Sequence, residues 1–503
     1  MLRSSFKTGA KNAPGSLRRP KWSANQFNLS QVQLRRSTAA ASPLKASTEP
    51  PESVTNVPSR GLSGNLPQSE KALTSIVSSL NAKQIRDSCT CPQCVDPSSS
   101  QKSYHTTDIP ENIQPKARLA NGDSRVIEIK WQNDIPNWSN DHVTQFYRNN
   151  AEAKDTIYHP IAPVDRRIWN AKQARKVSEQ KAFIDFHDYV HNDETLHKAL
   201  EQIGRWGIVF LKNVPDSEKA IESITGRIGL LKETFYGRTW DVKSMPQAKN
   251  IAYTHQYLGL HQDLMYVSNP PHLQILHSLR ARAPGGESMF ADGFWAAHEL
   301  LRRDRAAFDA LCTHKVPFHY RNDSQSYVKW RPTIELGART NPTTPVVHPE
   351  QKEADAAAMP AFSADAPADL GLHAINYSPP FQAPWLATQT GHHAFPSAQH
   401  QPLSRSQFDE LFSALSHYRR ILEDPANMLE LRLEEGQAVV FDNRRVLHAR
   451  REFDATKGER WLKGAYVDDD VFYSRWRVLA AKISGAEREE EEMRKVLYGG
   501  QRA

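Results

Sequence analysis

The run YLGLHQDLMY, residues 257–266, contains the feature that most restricts this chain, a histidine and an aspartate separated by one residue. If this run is a β-strand, His261 and Asp263 project from the same face, because strand side chains alternate with a period of two. One imidazole and one carboxylate on one face supply two of the three ligands of a facial iron site. The third ligand would be a histidine far along the chain, and three metal positions would stay open. The tripeptide therefore predicts a β-sheet metal site, provided that the partners exist.

A suitable histidine lies near the other end of the chain. Residues 436–450 read GQAVVFDNRRVLHAR, which is a glycine turn, a buried strand and a polar stretch that leads to His448. Twelve residues later is Arg460, whose planar guanidinium suits the carboxylate of a co-substrate that chelates the metal at its other end. A lone His-X-Asp arises easily by chance in a chain with 20 histidines. The combination of the three features is much more specific and predicts an iron centre.

Basic residues are concentrated at the N-terminus. Residues 1–48 hold nine Lys or Arg and no acid, so removing them from the total charge of +7 leaves −2. A nucleic-acid-binding surface is therefore not expected. The Arg- and Ser-rich composition without a long apolar segment favours a mitochondrial transit peptide and a location in the matrix, although an ordinary basic tail has a similar composition. No run of 18 apolar residues is seen, so no membrane-spanning helix is expected.

Three of the four cysteines, Cys89, Cys91 and Cys94, lie within six positions. Such crowding in a chain that is not secreted predicts a metal site rather than a disulfide framework. Three thiolates need a fourth ligand for a closed tetrahedral zinc site, and His142 follows a strand-like stretch at 124–131. The alternative is a cluster of buried thiols without metal. Cys312 is expected to be an ordinary core or surface thiol.

Composition and periodicity predict the domain organisation. The predicted segments are a transit peptide (1–48), a disordered linker (49–79), a small N-terminal metal-binding domain (80–150), a connector (151–181), a main domain (182–480) with a mobile insert (337–372), and a charged C-terminal helix (481–503). Helices are predicted at 194–206 and 217–230, and strands at 207–211, 273–279, 288–290, 438–441 and 461–467. Short strands punctuated by Gly and Pro favour a mainly β fold, a jelly roll with peripheral helices.

Seven stretches between about residues 80 and 480 resemble the γ-butyrobetaine dioxygenase and trimethyllysine dioxygenase family, within the taurine-dioxygenase-like Fe(II)/2-oxoglutarate oxygenases. They are FYGRTW (235–240), NIAYT (250–254), LHQD (260–263), GGES (285–288), DGF (292–294), FDNRRVLH (441–448) and GAY (464–466). The resemblance implies a double-stranded β-helix and a small N-terminal zinc domain. It implies that His261, Asp263 and His448 bind Fe(II), and that Arg460 holds the distal carboxylate of 2-oxoglutarate. It also implies O₂ as co-substrate, ascorbate as a reductant, and His142 as the fourth zinc ligand.

The resemblance extends to the substrate site. The positions that form a trimethylammonium cage in the family are Tyr236, Trp240, Tyr253 and Tyr466 here, and Asn250 matches a residue that contacts the substrate carboxylate. Aromatic faces are how proteins hold a quaternary ammonium, which has no hydrogen to donate. Any one of these rings, taken singly, is more simply explained as an ordinary core aromatic, but the agreement at all four positions favours the cage.

Two departures from the family concern the acidic end of the expected substrate. Ser378-Pro379-Pro380 replaces a segment that contains two asparagines, and Arg280 stands where a lysine is usual. We therefore expect hydroxylation of a trimethylammonium acid and leave the acid open. γ-Butyrobetaine, which would give carnitine, is favoured over trimethyllysine because FYGRTW is closer to the butyrobetaine branch. A non-catalytic jelly-roll scaffold held by zinc is a third hypothesis, but no iron ligand is missing. The family allows a homodimer.

Overall fold

The structure is a computed structural model that describes residues 70–120, 123–138, 141–147, 166–179, 183–243, 254–322, 325–337, 371–385 and 403–485. The predicted transit peptide, most of the predicted insert, most of the charged C-terminal helix, and the candidate residues Asn250 and Tyr253 lie outside these ranges. Predictions about them stay predictions. None of the helices within these ranges is both long enough and apolar enough to cross a membrane.

The described chain alternates between helices and strands. The helices are α1 (Glu70–Ser79), α2 (Ala82–Asp87), α3 (Ala171–Ser178), α4 (Phe186–His191), α5 (Asp193–Trp206), α6 (Ala220–Ile228), α7 (Gly293–Arg303), α8 (Arg305–Thr313), α9 (Arg405–Leu422) and α10 (Asp469–Ser484). The strands are β1 (Gln114–Ala120), β2 (Asp123–Gln132), β3 (Val143–Tyr147), β4 (Ile184–Asp185), β5 (Ile208–Lys212), β6 (Thr239–Lys243), β7 (Leu258–His261), β8 (Leu273–Ala281), β9 (Ser288–Asp292), β10 (Lys315–Asn322), β11 (Gln325–Pro332), β12 (Ile334–Leu336), β13 (Leu372–Ile375), β14 (Met428–Leu431), β15 (Ala438–Asp442), β16 (Val446–Arg450) and β17 (Arg460–Val467). The strands predicted in the main domain are confirmed as β5, β8, β9, β15 and β17.

Two sheets face each other in the main domain. One has six strands in the order β4-β5-β15-β8-β17-β6, and the other has four in the order β14-β9-β16-β7. All of these pairs are antiparallel except β4–β5. Phe210 and Phe441 of the larger sheet pack against Phe290 of the smaller one, with ring centroids 6.1 and 5.6 Å apart. This arrangement is consistent with the predicted jelly roll.

Helices α5, α6 and α10 cover the outer face of the six-stranded sheet. α5 begins after Asn192, whose side chain accepts a hydrogen bond from the helix backbone, and ends at Gly207, which has a φ of 76°. Between these ends Leu196, Leu200 and Ile203 recur every three or four residues and are buried. This spacing gives the helix one apolar stripe, which packs on the sheet and leaves the inner face of the sheet for the site.

The small N-terminal domain consists of the sheet β1-β2-β3 with α1 and α2. The prediction of a disordered linker over 49–79 was wrong for residues 70–79, which form α1. Leu73 and Val77, four residues apart on one side of this helix, are buried against Ala117 and Ile129. The two residues form an apolar stripe that packs on the sheet. The polar composition of the surrounding sequence gives no sign of this packing.

The main domain begins before the predicted boundary at residue 182. Trp169, placed by prediction in the connector, is buried, and its Nε1 donates a hydrogen bond of 2.7 Å to the carbonyl of Trp206. Its backbone nitrogen donates to Asp292, which in turn forms a buried ion pair with Arg445 at 2.7 Å. The prediction of a connector is therefore wrong for residues 166–179, because buried apolar side chains such as Trp169 and Ala174 belong to the core.

The predicted C-terminal boundary differs from the structure, whereas the ends of the predicted insert match strand boundaries. Residues 481–484 are the end of α10, which packs on α5 and α6 and stops at Gly485 with a φ of 77°. They do not start a separate charged helix. At the predicted insert, β12 pairs with β13, and the nitrogen of Gly337 donates to the carbonyl of Gly371 at 2.8 Å. The two ends of the insert therefore lie side by side.

Candidate active site and metal centres

The predicted strand at 257–266 is shorter than expected. β7 ends at His261, and Asp263 lies in a turn that continues into Leu264 with a φ of 61°. Asn443 holds this turn from both sides, because its Oδ1 accepts from Asp263 N (2.9 Å) and its Nδ2 donates to Asp263 O (3.1 Å). His261 Nε2 still lies 3.4 Å from Asp263 Oδ1. The two ligands therefore converge through a turn rather than through strand alternation.

His448 completes the predicted triad. It lies on β16 directly opposite His261 on β7, and the two ring centroids are 4.2 Å apart. One ligand atom from each of His261, Asp263 and His448 lies within 4.8 Å of the others. His261 Nδ1 is 2.8 Å from the carbonyl of Gly259, an arrangement that puts the proton on Nδ1 and leaves Nε2 available to a metal. The donor set fits a facial site for Fe(II).

The electrostatics of the triad favour the protonation states that metal ligands need. Burial alone would raise the pKa of Asp263, but the hydrogen bond to His261 and the neighbouring imidazoles bring it below its usual range. The hydroxyl of Tyr466 adds a donor, 2.7 Å from Asp263 Oδ2. Burial, followed by the nearby His261, lowers the pKa of His448 to about 3. The site therefore holds an ionised carboxylate and a neutral imidazole near neutral pH.

Arg460, the predicted carboxylate-binding residue, is the first residue of β17 and is only 9% exposed. Its Nε donates a hydrogen bond to the carbonyl of Gly286 at 3.2 Å. Among the described residues, no ion pair involves Arg460. Burial, together with the nearby Arg450, lowers its pKa to about 9. A buried cation without a carboxylate partner is costly, so this position favours an anionic ligand.

The cavity beside Arg460 contains further arginines. Arg432 lines it and donates to the carbonyls of Ala281 and Ala283. Arg280, one of the two departures from the family pattern, lines it as well, but its Nη1 is paired with Asp216 at 2.7 Å. Arg280 therefore already has a carboxylate partner, whereas no ion pair among the described residues involves Arg460.

The predicted zinc residues also converge. Ligand atoms of Cys89, Cys91, Cys94 and His142 all lie within 4.8 Å of one another, and all four residues are buried. His142 Nδ1 is 2.7 Å from Asp134 Oδ2, which leaves its Nε2 facing the thiols. This donor set and this carboxylate–histidine pair fit a closed zinc site.

Sequence reasoning missed the residues that support this cluster. Arg86 is fully buried, and it donates to Cys94 Sγ at 3.3 Å and to Asp134 Oδ1 at 2.6 Å. Its guanidinium lies 5.1 Å from the ring centre of Tyr104. A positive charge here would offset the excess negative charge that three thiolates bring to a zinc site. The only sequence signal was an arginine three residues before Cys89. Cys312 is half-buried on α8, away from this cluster.

Three of the predicted cage residues lie on the same side of the site. Trp240 on β6 stacks on Tyr466, with centroids 3.9 Å apart and an angle of 25°. A side chain at Gly464 would collide with the indole, so the glycine permits this stack. Tyr236 lies nearby, with its hydroxyl 3.2 Å from that of Tyr266. Since Trp240 and Tyr466 face each other, a ligand can use only their remaining faces and edges.

Further aromatic residues surround Tyr266 and were not predicted. Tyr320 and Tyr327 face each other across the β10–β11 hairpin, and Phe381 follows the Ser378-Pro379-Pro380 departure in a short 3₁₀ turn. Ring centroids are 5.3 Å apart for Tyr266–Tyr320 and for Tyr266–Phe381. Only the place of Tyr266, three residues after Asp263, could have indicated this cluster in advance.

Comparison with known proteins adds a family match. The model described as "Taurine catabolism dioxygenase TauD, TfdA family" matches residues 172–466, which include the triad and Arg460. A protein named dioxygenase str8 from Strobilurus tenacellus is 35% identical over 413 residues, which cover 78% of this chain and 84% of that protein. γ-Butyrobetaine dioxygenase from a Pseudomonas species is 29% identical over 401 residues, 78% of this chain and 89% of that protein. Mitochondrial trimethyllysine dioxygenase from Rattus norvegicus is 26% identical over 405 residues, which cover 78% of this chain and 81% of that protein.

Proposed function

Because this chain belongs to the TauD, TfdA family and is a 2-oxoglutarate-dependent dioxygenase, we propose that it hydroxylates a small substrate with a trimethylammonium group. One observation carries the proposal: the ligand atoms of His261, Asp263 and His448 converge within 4.8 Å beside the aromatic pair of Trp240 and Tyr466. A scaffold without catalytic activity would have no need of this donor geometry.

In the proposed centre, His261, Asp263 and His448 hold Fe(II), and Arg460 holds the distal carboxylate of 2-oxoglutarate. When bound, iron and 2-oxoglutarate supply the oxidising power with O₂, and the overall reaction releases succinate, CO₂ and the hydroxylated product. The facing sheets form the family's double-stranded β-helix in this proposal. The centre lies between them, where β7, β16 and β17 each contribute at least one of these residues.

The protein's own contribution is binding, orientation and exclusion of water. Asn443 fixes the backbone of Asp263, and the hydroxyl of Tyr466 fixes one of its carboxylate oxygens. His261 and Arg460 are buried, so bulk water has little access to the metal ligand or to the co-substrate's carboxylate. Arg460 has no ion pair among the described residues, and the nearby Glu287 offsets only part of its charge, so an anionic co-substrate would add compensation at this position.

γ-Butyrobetaine is the first candidate substrate, and trimethyllysine is the alternative. The FYGRTW stretch supports γ-butyrobetaine, and Tyr236, Trp240 and Tyr466 offer aromatic surface to a trimethylammonium group next to Asp263. The relatives named for the two activities have similar identities, 29% and 26%, so overall identity does not separate the two substrates.

Three further properties belong to the same proposal. Cys89, Cys91, Cys94 and His142 hold a structural Zn(II), oriented by Asp134. Residues 1–48 direct the chain to the mitochondrial matrix, where ascorbate keeps iron reduced. The family resemblance also allows a homodimer.

The test is a substrate panel with the purified full chain, Fe(II), 2-oxoglutarate and ascorbate, followed by succinate release. Release above background with γ-butyrobetaine is expected, and His261→Ala should abolish it while the folded state persists. Release with trimethyllysine alone would transfer the assignment to the alternative. If 2-oxoglutarate binds but neither compound increases succinate release, trimethylammonium compounds are excluded as the substrate class.

A further inference from the structure

We propose that six aromatic residues beside the metal ligands form a second part of the substrate site, which binds an apolar planar group of the substrate. We call them the aromatic wall: Phe235, Tyr236, Tyr266, Tyr320, Tyr327 and Phe381. The inference rests on the proposed oxygenase function and narrows its substrate class. The preferred substrate carries an aromatic or similarly flat apolar end in addition to its ammonium group, and γ-butyrobetaine occupies only part of the site.

The wall is assembled from four segments that are distant in the sequence. Phe235 and Tyr236 precede β6, Tyr266 follows Asp263, Tyr320 and Tyr327 are cross-strand partners in the β10–β11 hairpin, and Phe381 ends the turn after Ser378. The rings form one connected group. Phe235 lies 4.8 Å from Tyr320 and 5.1 Å from Tyr327, and Tyr266 lies 5.3 Å from both Tyr320 and Phe381, measured between centroids.

The wall is partly open, unlike the core on which it packs. Tyr266 is 2% exposed, but the other five rings are half-buried at the edge of that core. The rings therefore expose aromatic surface on one side while they are supported from the other. Exposed apolar surface that is concentrated in one place marks binding sites more often than it marks structural packing.

The wall lies near the metal ligands, because Tyr266 follows Asp263 by three residues and Asp263 is among the groups that raise the pKa of Tyr266. Tyr466 donates to Asp263, and the hydroxyl of Tyr266 lies 3.2 Å from that of Tyr236. Burial is the main cause that raises the pKa of Tyr266. The neighbouring Tyr236 and the carboxylate of Asp263 raise this pKa further. The buried ring thus stands between the reacting end of the site and the half-buried rings, and it is a neutral phenol. A molecule that contacts both parts extends from the metal toward the hairpin.

The wall presents rings rather than charge. Within the part of the chain that the structure describes, no lysine or arginine stacks on Phe235, Tyr266, Tyr320, Tyr327 or Phe381. Arg331, close in the sequence to the hairpin tyrosines, donates instead to the carbonyls of Met265 and Val267. The Ser378–Phe381 turn contributes a phenyl ring rather than a side-chain amide. This chemistry suits a flat apolar group and does not suit a carboxylate.

Tyr327 provides the sharpest variant. Its hydroxyl donates to Gln325 on the same strand, so its ring can be removed without breaking a hydrogen bond to the metal site. Val328, the next residue on β11, projects from the opposite face of the hairpin and is 36% exposed. Val328→Ala is therefore a matched control that perturbs the hairpin but not the wall.

The experiment compares three probes by calorimetric titration of the full chain with Fe(II) and 2-oxoglutarate under argon. Tetramethylammonium reports on the cage, benzyl alcohol on the wall, and benzyltrimethylammonium on both. We expect benzyltrimethylammonium to bind about three- to tenfold more tightly than tetramethylammonium, as one favourable aromatic contact allows. Tyr327→Ala should reduce this preference to less than about twofold and leave the affinity for tetramethylammonium unchanged. Val328→Ala should retain the preference.

The outcomes separate this inference from the proposed function. Equal affinity for the two ammonium probes would refute the proposal that the aromatic wall binds substrate. A preference for benzyltrimethylammonium that persists in Tyr327→Ala would refute it as well. Binding of benzyl alcohol that is lost in Tyr327→Ala, with neither ammonium compound bound, would retain the wall and eliminate the cage. No binding of any probe would eliminate both. If Tyr327→Ala does not fold, Tyr327→Leu keeps apolar volume while it removes the ring, and the same criteria apply.

Discussion

Replacement of Arg460 by methionine should have opposite effects on stability and on co-substrate binding. Arg460 is buried, and no ion pair among the described residues involves it. Burial, together with the nearby Arg450, lowers its pKa to about 9, so the folded protein disfavours the charged form. The sign follows from the direction of the shift. Because the folded-state pKa of this cation is below its unfolded value, the penalty is fully present below about pH 9 and disappears as the pH rises toward the pKa of a free arginine.

The same substitution removes favourable contacts, but these are smaller. Arg460→Met loses the hydrogen bond to Gly286, worth about 1 kcal/mol net. Removal of the buried charge gains several kcal/mol, and buried charges exchanged for apolar groups of similar volume are often neutral or stabilising by about 1–4 kcal/mol. Without ligand, Arg460→Met should therefore melt at the same temperature as the wild type or a few degrees higher. Its affinity for 2-oxoglutarate should fall by about 2–5 kcal/mol, roughly 30-fold or more.

Thermal melting with and without 2-oxoglutarate measures both effects in one experiment. The wild type should gain stability with 2-oxoglutarate, and Arg460→Met should not gain any at the same concentration. Arg432→Met is the matched control, because Arg432 lines the same cavity but donates to the carbonyls of Ala281 and Ala283. It should melt at a lower temperature and still respond to 2-oxoglutarate. A lower melting temperature of Arg460→Met together with an undiminished response would refute the reasoning.

Three other substitutions test separate parts of the structure. Tyr466→Phe removes the donor to Asp263 and should weaken Fe(II) binding by about 10- to 100-fold in chelator competition, because partners of this kind orient the ligand; unchanged affinity would show that Asp263 is held by its backbone alone. Asp134→Ala should lower zinc affinity by about the same factor, read as faster zinc loss to a chelator, without changing 2-oxoglutarate binding. Leu73→Ala should destabilise the small domain by about 2–5 kcal/mol in denaturant unfolding, and a loss below about 0.5 kcal/mol would mean that α1 is dispensable.

The convergence of the candidate metal ligands was predictable because their chemistry is visible in short stretches. Residue type and spacing are enough to identify His261, Asp263, His448 and the three clustered cysteines as candidate ligands. The path that joins them was less visible. A ten-residue strand explained the His-X-Asp pair economically, yet the strand stops at His261 because Asn443, 180 positions away, binds both backbone groups of Asp263. No local pattern contains that contact.

The parts that escaped prediction depend on packing partners that a sequence does not name. α1 carries Leu73 and Val77 in a Ser- and Thr-rich region. The polar composition predicted disorder there, although these two buried residues are enough to pack the helix on the sheet. Trp169 belongs to the main domain because its indole nitrogen reaches the carbonyl of Trp206. Tyr320 and Tyr327 become neighbours only through the register of the β10–β11 hairpin. In each case the residue is unremarkable until its partner is known.

The polar stretch before His448 acts on more of the site than its role as a sequence marker suggested. Three consecutive side chains reach three different segments: Asn443 holds the Asp263 turn, Arg444 donates to Asn376 and Glu335, and Arg445 donates to Asp292. β16, which carries the candidate ligand His448, is thus tied to the turn that carries Asp263 and to the β12–β13 pair. Groups joined in this way do not contribute independently, so the cost of losing one depends on the others. The site is therefore better understood as one polar assembly around β16 than as ligands collected separately from distant strands.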